Sequence, residues 1–377
     1  MNNYYDTISF NNLYASSLKC CRGVKWKKST AHYLLNQLEE THKLYESLHN
    51  GTYRESKHKV FKVYEPKERE VMSICFRDRV YQRTLNDLLL YPIMTKSFVY
   101  DNCACQHNKG TDFARNRIKT HLRRYYQHYG DNKGYLLHID IKKYYPNMSH
   151  KVAINLFKEQ LPKDVFEKVF DILKMYKGEK GYYAGSQLIQ ILGISILNKI
   201  DHYIKEQLKV KHYVRYMDDL FLIIRNNPTY YLENIKKELN KIEFEINKEK
   251  TKIKKLYQGD TFLGFKFLLS NSGKVYQCIA TKNIKRAKRK LCVRDKKSFD
   301  VWYSYANKST SKKRIMEVKK LYESRSQNQV STIRSNIAWN QCYRTTARFN
   351  QGSQWVKGTN WRIKKRRKRI IFLSEKN

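Results

Sequence analysis

Apolar and polar positions along the chain alternate between stripes at helical period and short runs of strand length. His32 to Leu48 (HYLLNQLEETHKLYESL) carries apolar residues at helical spacing, and HNGTY at His49 to Tyr53 is a turn signal that ends this helix. Lys59 to Val80 alternates like a hairpin, with Pro66 and charged residues at its bend. Phe113 to Tyr129 reads as a basic helix. Gly134 to Met148 (GYLLHIDIKKYYPNM) reads as a buried strand ending at Pro146. His150 to Tyr176 is helical, and Leu188 to Leu208 forms a long patterned helix. Tyr213 to Ile223 (YVRYMDDLFLI) is a second buried strand, interrupted at its middle by Asp218 and Asp219. A helix over Tyr231 to Leu239, a strand pair around Phe244 to Phe267 and a basic helical C-terminal part complete the order. No internal repeat and no linker stands out.

Charge narrows the class of partner. The chain has 377 residues and a formal net charge of +42, with Lys and Arg spread along its length. A surface this basic binds polyanions, nucleic acid first. On charge alone a ribosomal-type or histone-like binder stays open. The 30 tyrosines and 41% hydrophobic content instead fit a folded body whose aromatics can stack on bases or sugars.

Neither a membrane span nor a leader is expected. No cationic segment followed by an apolar one opens the chain, and Leu188 to Leu197 is too short and polar to cross a bilayer. The eight cysteines form no paired CxxC set, and Cys20-Cys21 and Cys103-x-Cys105 lack partners at zinc spacing. They read as reduced core thiols of a cytoplasmic protein, with a metal site as the lesser alternative.

Candidate chemistry lies in the two buried strands. Asp140 ends one apolar run and Asp218-Asp219 interrupt the other, and buried carboxylates need compensating cations. Strand ends placed together would let them jointly hold divalent metal, with Mg²⁺ suited to hard oxygen ligands and substrate phosphates. Two such ions activate a 3′ hydroxyl and stabilise a pyrophosphate leaving group. The competing reading is a hairpin turn in which the aspartates are simply solvated.

The order of segments tips that balance. A strand with Asp140, a glycine turn and helix, a YMDD hairpin, KEKTK and FLGF together resemble the palm of a reverse transcriptase, and the resemblance covers nearly the whole chain. It implies an α+β right-hand polymerase fold, with N-terminal helices and fingers over 1–134. The palm spans 135–268 with a finger insertion at 150–180, and a helical thumb with a basic C-terminal region spans 269–377. It implies that Asp140, the Ile141 carbonyl, Asp218 and Asp219 hold two Mg²⁺ ions, with Mn²⁺ as an alternative, Asp218 binding directly and Asp219 supporting. Tyr145 falls at the aromatic gate that excludes a ribose 2′ hydroxyl, although an ordinary core tyrosine is its other reading. Phe262, Leu263 and Gly264 match the primer grip, where a tight glycine turn lets backbone approach the primer. Lys250 matches a lysine associated with phosphate transfer, or is one more solvated lysine.

EPKEREV followed by FRDRV resembles the hairpin that clamps an incoming triphosphate, with Lys67 and Arg69 as the clamp residues. Arg79 is ambiguous, since Asp78-Arg79 also reads as a structural pair. NLYASS, NGTYRES, this clamp and YDNCACQHNKGTDFA look like diversity-generating retroelement enzymes and their defence-associated relatives. The chain departs from the pattern at AGSQLIQ: Gly185 and Gln190 match as nucleotide-binding positions, but Ala184 replaces a glutamine and Ile189 a serine. Loss of that glutamine implies altered fidelity or nucleotide preference. The departures favour the bacterial antiphage group.

In the C-terminal part, Lys285, Arg286, Lys288 and Arg289 fit a thumb helix that displaces counterions from a nucleic-acid backbone. Lys364, Lys365, Arg366 and Arg367 fit a further RNA contact or a solvated tail, and Trp339, Trp355 and Trp361 fit stacking on RNA bases or core packing. The expected partners are a dedicated non-coding RNA template, the DNA product and dNTPs, with a partner protein or an oligomer left open. The alternatives are a diversity-generating retroelement enzyme, a template-independent or protein-primed polymerase, and an idle RNA-binding scaffold. Intact Asp140, Asp218 and Asp219 speak against the last.

Overall fold

The computed structural model describes residues 3–64, 68–183, 185–290 and 296–325. Its central element is a four-stranded antiparallel sheet built from β3 (Tyr135–Asp140), β4 (His212–Tyr216), β5 (Asp219–Ile224) and β6 (Lys252–Lys255), in the order β4-β5-β3-β6. Two smaller sheets accompany it. β1 (Lys59–Val63) pairs with β2 (Arg69–Ser73), and β7 (Asp260–Phe262), β8 (Phe265–Leu269) and β9 (Val275–Ile279) form an antiparallel meander. The mixture of helices and antiparallel sheets is the α+β class expected.

Leu220 to Ile224 of β5 are buried at five consecutive positions. Successive strand residues point to opposite faces, so both faces of the sheet are covered there. The helix Thr111–Tyr129 packs on β4 and β5, and the helix Pro228–Lys241 packs on β3. Among the described residues, those up to 281 together with 309–311 form one compact unit, and those of 282–308 with 312–325 form a second. In the second, helix Thr281–Lys290 buries Ile284 and Ala287 and leaves Lys285, Arg286, Lys288 and Arg289 exposed.

Several elements are shorter than their sequence pattern. The N-terminal helix divides at Asn36 (φ −117°, ψ 35°) into Lys28–Leu35 and Gln37–His49. The hairpin over Lys59 to Val80 ends at Ser73, because Phe76, Val80, Tyr81 and Leu85 recur at helical spacing and are buried in a helix Phe76–Leu85. β3 stops at Asp140 and not at Pro146; Lys143 takes a positive φ of 45° and the Asn147 amide donates to its carbonyl, turning the chain. The expected helix from His150 to Tyr176 breaks at Leu161, held extended by Pro162, into His150–Gln160 and Lys163–Leu173. The stretch from Leu188 to Leu208 is three segments, Gln187–Ser195, Asn198–His202 and a π-helical Tyr203–Gln207. Among the described residues no helix is long and apolar enough to cross a membrane. Among the described residues the cysteines are not uniformly core thiols: Cys20, Cys21 and Cys103 are buried, Cys105 and Cys278 half-buried and Cys75 exposed, while Cys292 and Cys342 lie outside the described residues.

One fully buried ion pair fixes the sheet against these helices. Arg215 on β4 donates from Nε to Asp201 Oδ1 at 2.7 Å and from Nη2 to Asp201 Oδ2 at 2.7 Å, both residues being 0% exposed. Tyr213 Oη donates to the same carboxylate at 2.6 Å. Removing one partner of such a pair strands a charge in the core, so Asp201→Asn should lower unfolding stability by about 3–5 kcal/mol. Chemical denaturation read by circular dichroism measures it.

Candidate active site

The strand register brings the sequence-predicted aspartates together. Asp140, last in β3, is the cross-strand partner of Asp219, first in β5. Asp219 also pairs with Tyr216 across β4, so Met217 and Asp218 form a two-residue turn, Met217 having a φ of 56°. Two-residue hairpin turns use such left-handed backbone because its twist matches that of the flanking strands. The turn does not float: Arg215 Nη1 donates to the Met217 carbonyl at 3.1 Å and Nη2 to the Ile194 carbonyl at 2.8 Å. Asp218 therefore sits at a hairpin tip anchored from beneath by a buried guanidinium.

Charge is concentrated here. Burial, then the Asp219 and Asp140 carboxylates, push the Asp218 carboxyl up to about 6. Lys250 offsets part of the load, its Nζ lying 3.0 and 2.8 Å from the two Asp140 carboxylate oxygens, a contact that raises the Lys250 pKa. The Asn247 amide donates to the Asp140 carbonyl at 2.7 Å, and Ile141 bridges Ile246 with its side chain buried. These bonds hold the 245–251 segment against the end of β3.

His138, two residues before Asp140, lies between two further carboxylates. Its Nε2 is 3.4 Å from Asp219 Oδ1 and its Nδ1 is 2.9 Å from Asp260 Oδ2. Burial alone would lower this imidazole, but the two carboxylates outweigh it and raise the pKa to about 9. Asp260 is held well below the usual carboxylate range despite its burial, by His138 and by Lys254 at 2.5 Å.

The remaining expected residues divide. Tyr145 is half-buried and packs on Gly193, where an added Cβ would lie 2.9 Å from the Tyr145 hydroxyl. Gln190 is exposed and donates to Cys105 Sγ at 2.8 Å, and Cys105 lies 3.9 Å from Met217 Sδ, which puts Gln190 beside the YMDD turn. Gly185 (φ 143°) lies against β2, and a Cβ there would fall 2.2 Å from the Met72 carbonyl oxygen. Its glycine is thus required by close approach to the β1-β2 hairpin. Ile189 is fully buried, so the residue replacing the family's serine is a packing residue of the helix core. Leu263 and Gly264 form a tight turn with φ of 46° and 84°, whereas the Phe262 side chain is 1% exposed and packs inward on His138 and Phe221. Arg69 begins β2 and is exposed. Lys67, Ala184, Lys364, Lys365, Arg366, Arg367 and Trp339, Trp355 and Trp361 lie outside the described residues.

Sequence reasoning missed His138, Asp260, Arg215 and Asp201. The available signal was a charged or titratable residue inside an apolar run, as in LLHID and YVRYM.

Among the described residues no three carboxylate, imidazole or thiol groups are gathered at metal-coordinating distance. The donor set nevertheless fits a hard divalent cation, because it is all oxygen and because burial, with the Asp219 and Asp140 carboxylates adding to it, raises Asp218, a load that such a cation would relieve.

The family model described as reverse transcriptase (RNA-dependent DNA polymerase) matches residues 59–267, more than half of the chain. The chain belongs to this family. No curated protein sequence matches it. Solved structures that are similar include telomerase from Candida albicans in complex with a fragment of telomeric RNA, 13% identical with a TM-score of 0.48, covering 79% of this chain and 61% of that one. Another is apo telomerase from Candida tropicalis truncated from its C-terminal domain, 14% identical with a TM-score of 0.45, covering 58% and 54%. The chain thus spans less than two thirds of the length of either.

The charge load on Asp218 predicts a conflict between stability and activity. A carboxyl raised above its ordinary value destabilises the fold above its folded pKa and ceases to do so below its unfolded one. With chelator present, Asp218→Asn should be more stable than wild type by about 1–3 kcal/mol at pH 8 and no more stable at pH 3, below the ordinary aspartate pKa, read by denaturant melts.

Proposed function

We propose that this chain is an RNA-directed DNA polymerase that copies a dedicated non-coding RNA into DNA, in a bacterial cytoplasm and in the service of antiphage defence. The observation that carries the polymerase reading is the register that sets Asp140 beside Asp219, with Asp218 at the anchored turn between β4 and β5. The defence setting is supported by the resemblance of the NLYASS, NGTYRES and YDNCACQHNKGTDFA segments to defence-associated relatives.

Asp140, the Ile141 carbonyl, Asp218 and Asp219 would hold two Mg²⁺ ions, with Mn²⁺ able to substitute. Such ions, when bound, lower the pKa of the primer 3′ hydroxyl and neutralise the departing pyrophosphate. The residues of the chain supply position and charge around that chemistry. Lys250 exchanges its Asp140 partner for phosphate oxygens of the incoming nucleotide. Tyr145 presents an aromatic wall toward the sugar, and Gln190 and Gly185 shape the nucleotide side. Arg69, at the start of β2, and Lys67 grip the triphosphate. Leu263 and Gly264 present backbone to the primer, with Phe262 as their buried support. Lys285, Arg286, Lys288 and Arg289 follow the duplex backbone, and Lys364, Lys365, Arg366 and Arg367 add RNA contacts.

Purified chain incubated with a primed RNA template, labelled dNTPs and Mg²⁺ should make DNA. Asp140→Asn and Asp218→Asn should abolish it, Lys250→Ala should slow it by about 10²-fold, and chelator should stop it. No product from wild type, or undiminished product from Asp218→Asn, would overturn the catalytic assignment. Sequencing nucleic acid that copurifies tests the template: a single recurrent RNA is expected.

A further inference from the structure

His138 is a half-buried titratable residue with no place in the nucleotidyl-transfer step, yet it touches both parts of the site that must stay in register. It stands on β3 opposite Phe221 and on the same face as Asp140. From there one ring nitrogen faces Asp219 and the other faces Asp260. Its ring lies 5.6 Å from that of Phe221 and 6.0 Å from that of Phe262, and those two phenyl rings are 5.3 Å apart. Asp260 opens β7 and Phe262 closes it, immediately before the Leu263-Gly264 turn.

We propose that His138 is a positioning residue that ties the Asp219 carboxylate to the β7-β8 hairpin, so that the catalytic carboxylates and the turn facing the primer move as one body. The inference rests on the polymerase reading for the primer's place, though the tether itself is a property of the folded chain. Lys254 already satisfies one oxygen of Asp260, so charge balance at Asp260 does not require His138. What the imidazole adds is reach, since a ring with two opposed nitrogens spans from the central sheet to the three-stranded one. An aliphatic residue would pack between the phenyl rings but leave Asp219 and β7 unconnected.

The test uses the full chain with His138→Gln, Asp260→Asn and their double variant. With wild-type extension of a primed RNA as control, each single change should raise KM for the primed template by about tenfold, with a smaller change in KM for dNTP. The double variant should be no worse than the more severe single one. Hydrogen exchange gives a readout free of catalysis: His138→Gln and Asp219→Ala should both speed exchange at Asp260 to Phe262 and leave Leu136 and Leu137 protected. Defects that multiply in the double variant, or unchanged exchange at Asp260 to Phe262 in Asp219→Ala, would overturn the tether. Should His138→Gln not fold, Asp219→Ala and Asp260→Asn carry the same exchange test. A wild type that extends no primer would sink the polymerase reading, and the exchange pattern would still decide the tether.

Discussion

Arg215 places a permanent positive charge where no part of it reaches solvent, and the rest of the site is organised around satisfying it. Its Nε and Nη2 meet Asp201, Nη2 also reaches the Ile194 carbonyl, and Nη1 reaches the Met217 carbonyl in the β4-β5 turn. Its backbone joins the Asp101 to Cys103 segment, with the Arg215 amide donating to the Asp101 carbonyl and the Cys103 amide to the Arg215 carbonyl. One residue thus fixes two helices, a loop and a hairpin tip. A buried pair of this kind adds little net stability over apolar packing, but it admits one arrangement only, because any other leaves a guanidinium unpaired. For a site whose two carboxylate-bearing strands must stay aligned, that geometric demand matters more than the energy.

Above this anchor the charge balance is deliberately incomplete. Three aspartates converge on one strand end, with Lys250 bound to Asp140 and His138 beside Asp219. Among the described residues Asp218 makes no ion pair, Lys250 lowers its pKa only in part, and burial with the neighbouring carboxylates leaves it raised. The carboxylates at this strand end thus hold more negative charge than Lys250 and His138 neutralise, the kind of local instability that functional sites generally keep at the expense of the fold.

The packing of the Gly185 segment on the β1-β2 hairpin follows from a different constraint, the space between backbones. Gly185 approaches the Met72 carbonyl so closely that any side chain would collide. Ser186 then caps the next helix, accepting from the Leu188 and Ile189 amides while donating to Gln82 at 2.5 Å. Ile189 points into the core. Its replacement of a serine therefore follows from apolar packing, which the residue identity alone did not reveal.

Whereas Tyr213 to Ile223, read as one strand, is two strands joined by the Met217-Asp218 turn, the elements with strong periodicity were legible from the chain itself: the Thr111–Tyr129 helix, the β3 strand and the β1-β2 hairpin. So were the three aspartates, because two adjacent like charges inside an apolar run have few explanations. Boundaries were less legible where a single residue ends an element, as at Asn36, Leu161 and Lys143, since local backbone conformation there overrides a continuing apolar pattern. Lys250 was one lysine among many in the sequence, and only strand pairing brings it within 2.8 Å of Asp140. His138 with Asp260, and Arg215 with Asp201, are 122 and 14 residues apart along the chain. Hydrophobic period and short motifs report what each segment buries and what chemistry it carries. Which distant charges meet depends on packing and register, and those exist only in the folded chain.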